Sequence, residues 1–372
     1  MTPVYLQRAA LHCALGDDLP SAAQALQNAQ PPQGEPFVLH EVAEPRSYLY
    51  AGKTGENLSE RLDRLLSETL GEKVPDDCLL IVASTSLDIL ELENLTRQQQ
   101  GFRPEDSTPL DLLANQLRQR WGFAAAFTLN TACTSAANGL LYGARLINAG
   151  QYARALVLSF ETPSAIAMQG FGALMLTSLS GQYRPFHPER DGLVLGEAYA
   201  AVLLGREPGD APLARLLGGF SACDTSSLTT TREDGSHIHW VMQQALHSAN
   251  CKAEQIDLVK LHGTATSAND EAERNGMHLL YGERMPVLSL LKPWLGHTLG
   301  ACGLSESLLL LKALQSGPLP GVSYASEAML PFSAEPQTLA ADSLLLTNFF
   351  GFGGNNASLV LQGYMAGETA CR

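Results

Sequence analysis

The chain has 372 residues, with 24 Lys and Arg against 38 Asp and Glu, a formal net charge of −14. A field of that sign repels nucleic acid and anionic membrane surfaces unless a local basic patch overrides it, so neither is an expected partner. Apolar residues make up 45% and charged residues 17%, a globular balance that excludes disorder as the dominant state, in a chain long enough for one large core or two fused ones.

In chain order, the first residues (MTPVYLQRAALHCALG) lack a basic start and carry Arg8 inside the apolar stretch, so they do not read as a secretory leader. No apolar run approaches the roughly 20 residues of a spanning helix. A chain without a membrane span and with cytoplasmic residence is expected. Short apolar or β-branched runs at 79–83 (LLIVA), 155–160 (ALVLSF), 200–204 (AAVLL), 256–261 (IDLVKL) and 344–347 read as buried strands. Between them, 59–70, 110–120, 135–148, 241–249, 270–280 and 304–315 place apolar residues at helical spacing and read as layer helices. This alternation predicts an α/β fold.

The polar, turn-rich 207–212 (EPGDAP) is the natural cut, giving halves 1–208 and 209–372. A theme recurs once across it: 129–133 runs into a small-residue helix, and 288–301 into another. Two related halves are expected. Seven scattered Cys, an odd number with no CxxC pair and no zinc-like Cys/His spacing, predict reduced thiols and no metal site.

One of those thiols sits in Asn130-Thr131-Ala132-Cys133-Thr134-Ser135, a polar turn breaking into an alanine-rich helix. Free N–H groups at a helix start favour thiolate over thiol, so Cys133 is a candidate nucleophile with a lowered pKa. His262 ends a strand in His262-Gly263-Thr264-Ala265-Thr266, and His297 ends Lys292-Pro293-Trp294-Leu295-Gly296-His297 before a second small-residue helix. Imidazoles at strand ends can serve thiolate chemistry by hydrogen bonding or proton transfer. The glycines of 351–354 (GFGG) let backbone N–H groups approach a reacting oxygen, as an oxyanion hole requires.

Taken together, 130–136 (NTACTSA), 183–197 (YRPFHPERDGLVLGE), 262–266 (HGTAT) followed by Asp270 and Glu273, Lys292 with His297, and 351–355 (GFGGN) resemble the β-ketoacyl synthases of the thiolase-like superfamily. Two histidines rather than a His and an Asn match the elongating, Cys-His-His type. The resemblance spans about 110–361 and implies two pseudo-related α/β halves in a five-layer αβαβα arrangement. It implies a decarboxylative Claisen condensation: Cys133 holds an acyl thioester while His262 and His297 bind malonyl on its acyl carrier protein. Further implied roles are Lys292 and Glu273 as the supporting charged network and the N–H groups of Cys133 and Phe352 as the oxyanion hole. Thr264 and Thr266 would contact the phosphopantetheine arm, Phe352 would gate the site, and Phe171 would wall the acyl pocket. No metal or organic cofactor is implied, since phosphopantetheine arrives on the carrier.

The alternative is a chain-length-factor subunit that shapes the tunnel of a partner ketosynthase, although such subunits typically lose the Cys retained here. A homodimer or heterodimer is expected, pairing through the strand near 155–160, with Arg61 and Arg64 as candidate contacts for the acidic carrier. A specialised polyene pathway would suit so divergent a member. Departures from the family include a curtailed loop at 224–237, Glu197-Ala198-Tyr199-Ala200 in place of Glu-Gly-Ala-Gly, and Lys260 where relatives carry an Asn. Some relatives use that Asn, with a Glu corresponding to Glu306, to hold a monovalent cation; the Lys260 ammonium is expected to replace it by pairing with Glu306.

Overall fold

The computed structural model describes residues 1–28, 30–37, 45–52, 55–97, 112–210, 212–227 and 231–364. The first half runs β1 (Val4–Cys13), α1 (Leu19–Gln27), β2 (Glu35–Phe37), β3 (Arg46–Leu49), α2 (Leu58–Leu70), β4 (Cys78–Ala83), α3 (Ile89–Arg97), α4 (Leu112–Trp121), β5 (Ala125–Leu129), α5 (Ser135–Asn148), β6 (Arg154–Glu161), α6 (Ala165–Ala173), β7 (Leu195–Gly196) and β8 (Ala198–Gly205). The second runs β9 (Ala214–Cys223), α7 (Ser236–Ser248), β10 (Leu258–Lys260), α8 (Ser267–Tyr281), β11 (Val287–Ser289), α9 (Lys292–Leu295), α10 (Cys302–Ser316), β12 (Leu344–Phe350) and β13 (Asn355–Gly363). Local chemistry fixes several ends. Asn57 and Glu60 exchange side-chain and backbone bonds in a capping box that starts α2, and the Ser164 hydroxyl caps α6.

Ten strands form one sheet in the order β11-β10-β12-β13-β9-β1-β8-β6-β4-β5. From either edge inward, the pairings are parallel, parallel, antiparallel, antiparallel, and β1 joins β9 antiparallel at the centre. The two halves therefore repeat one topology, as expected. Successive residues of each strand alternate between layers. Leu79, Ile81 and Val157 face the central helices α5 and α10, while Leu80, Val82 and Leu158 face α2 and α4. In the other half, Leu258 and Leu345 face inward while Val259 and Leu346 pack under α7 and α8. Strands covered on both faces need unbroken apolar runs, which is why the sequence announced them.

At the middle layer α5 and α10 meet through small residues. A Cβ on Gly303 would lie 2.3 Å from the Ala137 backbone nitrogen. Only glycine allows this approach, and it brings the starts of the two helices, with Cys133 before one and His297 before the other, to one place.

Three expectations need correction. β6 lies inside the sheet between β4 and β8, so it has no free edge for a partner; the open edge of that half is β5, half-buried along its length. Arg61 is no surface cation: it is buried with its guanidinium 4.2 Å over the Tyr199 ring and 3.6 Å from Glu197. Arg64 is committed to Glu56 and Glu68. The same cluster accounts for Glu197-Ala198-Tyr199-Ala200, since the Tyr199 hydroxyl donates to Glu197 at 2.7 Å and its ring stacks on Phe160. The helix expected over 110–120 is described from Leu112, its first two positions lying outside the described residues, as do Cys371 and 228–230 of the loop at 224–237. Among the described residues, no helix is long and apolar enough to cross a membrane.

Candidate active site

Cys133 stands in the turn between β5 and α5, where Ala132 takes φ +53°. Local hydroxyls and amides hold this turn: Asn130 Oδ1 accepts from the Ala132 N–H, the Ser135 hydroxyl accepts from the Thr131 N–H and donates to the Ala132 carbonyl, and Asn138 donates to Thr131 Oγ1. The other site turns also carry non-glycine residues in the left-handed region, Ala265 at φ +59° and Leu299 at φ +39°. Strain of this kind persists only where the surroundings over-determine it.

His262 follows β10, and Glu273 of α8 fixes its backbone. The two Glu273 carboxylate oxygens accept from the N–H groups of His262 at 2.7 Å and Gly263 at 2.9 Å. One turn earlier, Asp270 accepts from Thr264 N–H at 3.0 Å and Phe186 N–H at 2.7 Å, docking the 183–197 segment onto the histidine loop. His297 is clamped by β7: its N–H donates to the Val194 carbonyl and its carbonyl accepts from Gly196.

The two imidazoles, both nearly fully buried, sit 5.3 Å apart with planes at 83°. The Lys292 ammonium lies 3.3 Å from His262 Nδ1, and the Leu299 N–H donates to His297 Nδ1 at 3.2 Å. A donor at each Nδ1 makes that nitrogen the acceptor, so each ring carries its proton on Nε2. Among the described residues, His262 Nε2 has no hydrogen-bond partner. Burial first, and then the Lys292 and Lys260 charges, push both imidazoles well below their ordinary range, so they stay neutral donors.

Of the two residues implied as the supporting charged network, Glu273 holds the histidine loop's backbone, and Lys292 makes an ion pair on another helix. Its partner is Glu306 of α10, at 2.6 Å, and the other Glu306 oxygen accepts from Lys260 at 2.6 Å. The expected Lys260–Glu306 pair is therefore present, in the form of one carboxylate shared by two ammoniums. Burial pushes the Cys133 thiol up, against the pull of the Phe352 backbone N–H and the Lys292 charge. The lowered pKa expected from the helix start is thus overturned by desolvation.

A cavity of about 90 Å³ is lined by Cys133, His262, His297, Thr264, Thr266, Phe171 and Phe352, among others, so every site residue facing the reacting groups meets there. Thr264 and Thr266 share a hydroxyl–hydroxyl bond of 2.8 Å, and the Phe171 and Phe352 rings meet edge to face at 5.9 Å. Asn356, one residue past the 351–355 motif, also joins the lining and donates to Thr231. Its repetition in Asn355-Asn356 after the glycines was the available signal. Among the described residues no cluster of His, Cys, Asp and Glu is arranged to hold a metal ion.

Residues 76–208 match the model of the β-ketoacyl synthase N-terminal domain, and 213–324 that of its C-terminal domain. A 3-oxoacyl-[acyl-carrier-protein] synthase 2 from Vibrio harveyi is 29% identical over 301 residues, covering 74% of this chain and 72% of the relative. Among solved structures, a ketosynthase in complex with its chain length factor from Xenorhabdus doucetiae superposes with a TM-score of 0.84 at 26% identity, covering 98% of each chain. A β-ketoacyl synthase from Burkholderia phymatum gives 0.82 at 24% identity, covering 98% of this chain and all of the other, a likeness of fold. By sequence, fold and the order of its motifs, the chain belongs to the β-ketoacyl synthase family.

Proposed function

We propose that this β-ketoacyl synthase condenses an acyl group held on Cys133 with malonyl-acyl carrier protein, giving 3-oxoacyl-acyl carrier protein, carbon dioxide and the free thiol. The observation that carries this reading is the pair of neutral imidazoles, each with Nδ1 engaged and Nε2–H available, sharing one cavity with a buried thiol.

In the first step the Cys133 sulfur displaces the carrier's thiol from an acyl thioester, and the Cys133 proton leaves with it. The malonyl thioester then enters with its carbonyl oxygen between the two Nε2–H donors. Breaking the carboxylate carbon bond releases carbon dioxide and leaves its electron pair as an enolate, whose negative oxygen those donors stabilise. The enolate carbon attacks the acyl-Cys133 carbonyl. The N–H groups of Cys133 and Phe352 take the resulting oxyanion, and its collapse expels the Cys133 thiolate, which regains a proton.

Thr264 and Thr266 hold the phosphopantetheine arm, and Phe352, its ring edge to face with Phe171, gates the cavity. Carbon dioxide loss drives the carbanion chemistry, and the scheme draws on no metal or organic cofactor. A subunit partner, a second copy or another ketosynthase, adds at the open β5 edge. Elsewhere on the surface, α6 and the following loop expose Ile166, Leu174, Met175 and Leu179.

The test is intact-mass analysis after incubation with acyl carrier proteins bearing different acyl groups, alone and with partner ketosynthases. An acyl adduct absent from Cys133→Ala is expected. No adduct in any pairing, from folded protein, would overturn the reading in favour of a tunnel-shaping chain-length-factor subunit.

A further inference from the structure

Lys260, the last residue of β10, takes part in no step of the condensation, yet it is among the largest fully buried side chains. Its ammonium donates to Glu306 at 2.6 Å and to the Asn348 carbonyl at 2.7 Å, and it lies 3.7 Å from the centroid of the Phe349 ring. A carboxylate, a peptide carbonyl and an aromatic face are what a small desolvated cation collects around itself. Here the cation is tethered to the chain.

The charges around it come from several elements: Glu306 and Cys302 on α10, Lys292 on α9, Glu273 on α8, and the loop histidines His262 and His297. Two ammoniums face one carboxylate that touches both. Burying such a charge is costly unless it is fully partnered. Lys260 has its partners, and through them it reaches the site, because the second oxygen of the carboxylate it holds receives Lys292, and Lys292 meets His262 Nδ1.

We infer that Lys260 is a positioning residue that serves as a built-in monovalent cation, fixing Glu306 so that Lys292 holds His262 with its proton on Nε2, without any dissolved ion. The kinetic part of the test rests on the proposed condensation; the spectroscopic part does not.

In protein labelled with ¹⁵N-histidine, His262 of the wild type keeps the Nε2–H form in potassium chloride and in choline chloride alike. In Lys260→Ala in choline chloride, His262 interconverts between tautomers and titrates closer to neutral pH, and potassium or methylammonium ions restore the wild-type signal. Condensation in that variant falls on the order of 10- to 100-fold, the cost usual for losing a partner that orients a working imidazole, and the same ions recover it. A folded Lys260→Ala that keeps the Nε2–H form in choline chloride, or one that loses it without rescue by either ion, overturns the inference.

A second measurement needs no variant. Wild-type condensation at equal ionic strength is expected to run at one rate in potassium, sodium and choline chloride, and activation by potassium would contradict a built-in cation. Should the wild type condense nothing with any partner, the condensation fails while the histidine spectra still decide the role of Lys260.

Discussion

Glu161 ends β6 almost fully buried, where Oε1 accepts from the Thr85 N–H, the Thr85 hydroxyl at 2.8 Å and the Gly300 N–H at 3.2 Å, three residues past His297. Desolvation outweighs those bonds and pushes its carboxyl up to about 7. Between its ordinary 4.5 and about 7 the folded protein keeps a proton that the unfolded chain has released. The stability that Glu161 contributes is therefore complete below about 4.5 and is lost as the pH rises through about 7. At 1.36 kcal/mol per pH unit, that loss comes to about 3 kcal/mol.

Glu161→Gln keeps the shape and the accepting oxygen and removes the charge. Urea unfolding from about pH 5 to about pH 8 is expected to show the variant gaining on the wild type with rising pH, by up to about 3 kcal/mol, and the two curves converging as the pH falls. Asp270 and Glu273, also raised by burial, act in the same direction but are shared by both proteins and cancel in the difference. Because the Glu161 charge also pushes the Cys133 thiol up, the variant's Cys133 should alkylate faster at pH 8. Parallel stability curves would refute the argument that desolvation governs this carboxyl.

The loop that carries Phe352 gives two further predictions. Phe352→Ala removes one of the two rings closing the cavity, so Cys133 should react with iodoacetamide severalfold faster at unchanged pH, measured by mass spectrometry. Gly354 has φ +81°, and a Cβ there would lie 2.2 Å from the Asp224 carbonyl; Gly354→Ala should cost about 2 kcal/mol or more in urea unfolding and lower acylation of Cys133. Lys292→Met frees His262 Nδ1 and should lower condensation on the order of 10²-fold in rate measurements while leaving acylation of Cys133 less affected. Met175, in the loop after α6, is an apolar side chain 87% exposed; burial of that patch in a subunit interface predicts that Met175→Glu shifts sedimentation toward monomer.

The catalytic turns were legible because their chemistry needs fixed residue types at fixed spacing: a thiol before a small-residue helix, histidines at strand ends, glycines where backbone must come close. The buried strands were legible for the same reason as any doubly covered strand. β1 was not, although it lies at the centre of the sheet. Its sequence mixes Gln7, Arg8 and His12 into the apolar run, and only tertiary contacts supply their partners: the Glu207 carbonyl for Gln7, Asp210 and the Leu70 carbonyl for Arg8, and Glu68 for His12. The edge strand is hidden in the sequence for a similar reason. An unbroken apolar run such as 155–160 requires cover on both faces and so belongs inside a sheet, whereas half-buried β5 is what an edge awaiting a partner looks like. Glu273 and Glu306 both lie on helices near the catalytic loops; which of them meets Lys292 depends on how α8 and α10 pack, and no spacing encodes that.

The same packing explains why the site is neutral where it reacts. A helix start alone argued for a thiolate at Cys133, but the thiol lies under the Phe352 loop and against the small-residue contact of α5 and α10, where burial favours the uncharged form. Burial and the two lysines likewise keep both histidines unprotonated. At rest the cavity thus presents three neutral groups, with two ammoniums against one shared carboxylate behind them. A neutral ground state gains little from that arrangement. Negative charge appearing on the enolate or the tetrahedral oxygen gains from both Nε2–H donors and from the Lys292 charge behind His262, so the interaction grows along the reaction coordinate, as lowering a barrier requires.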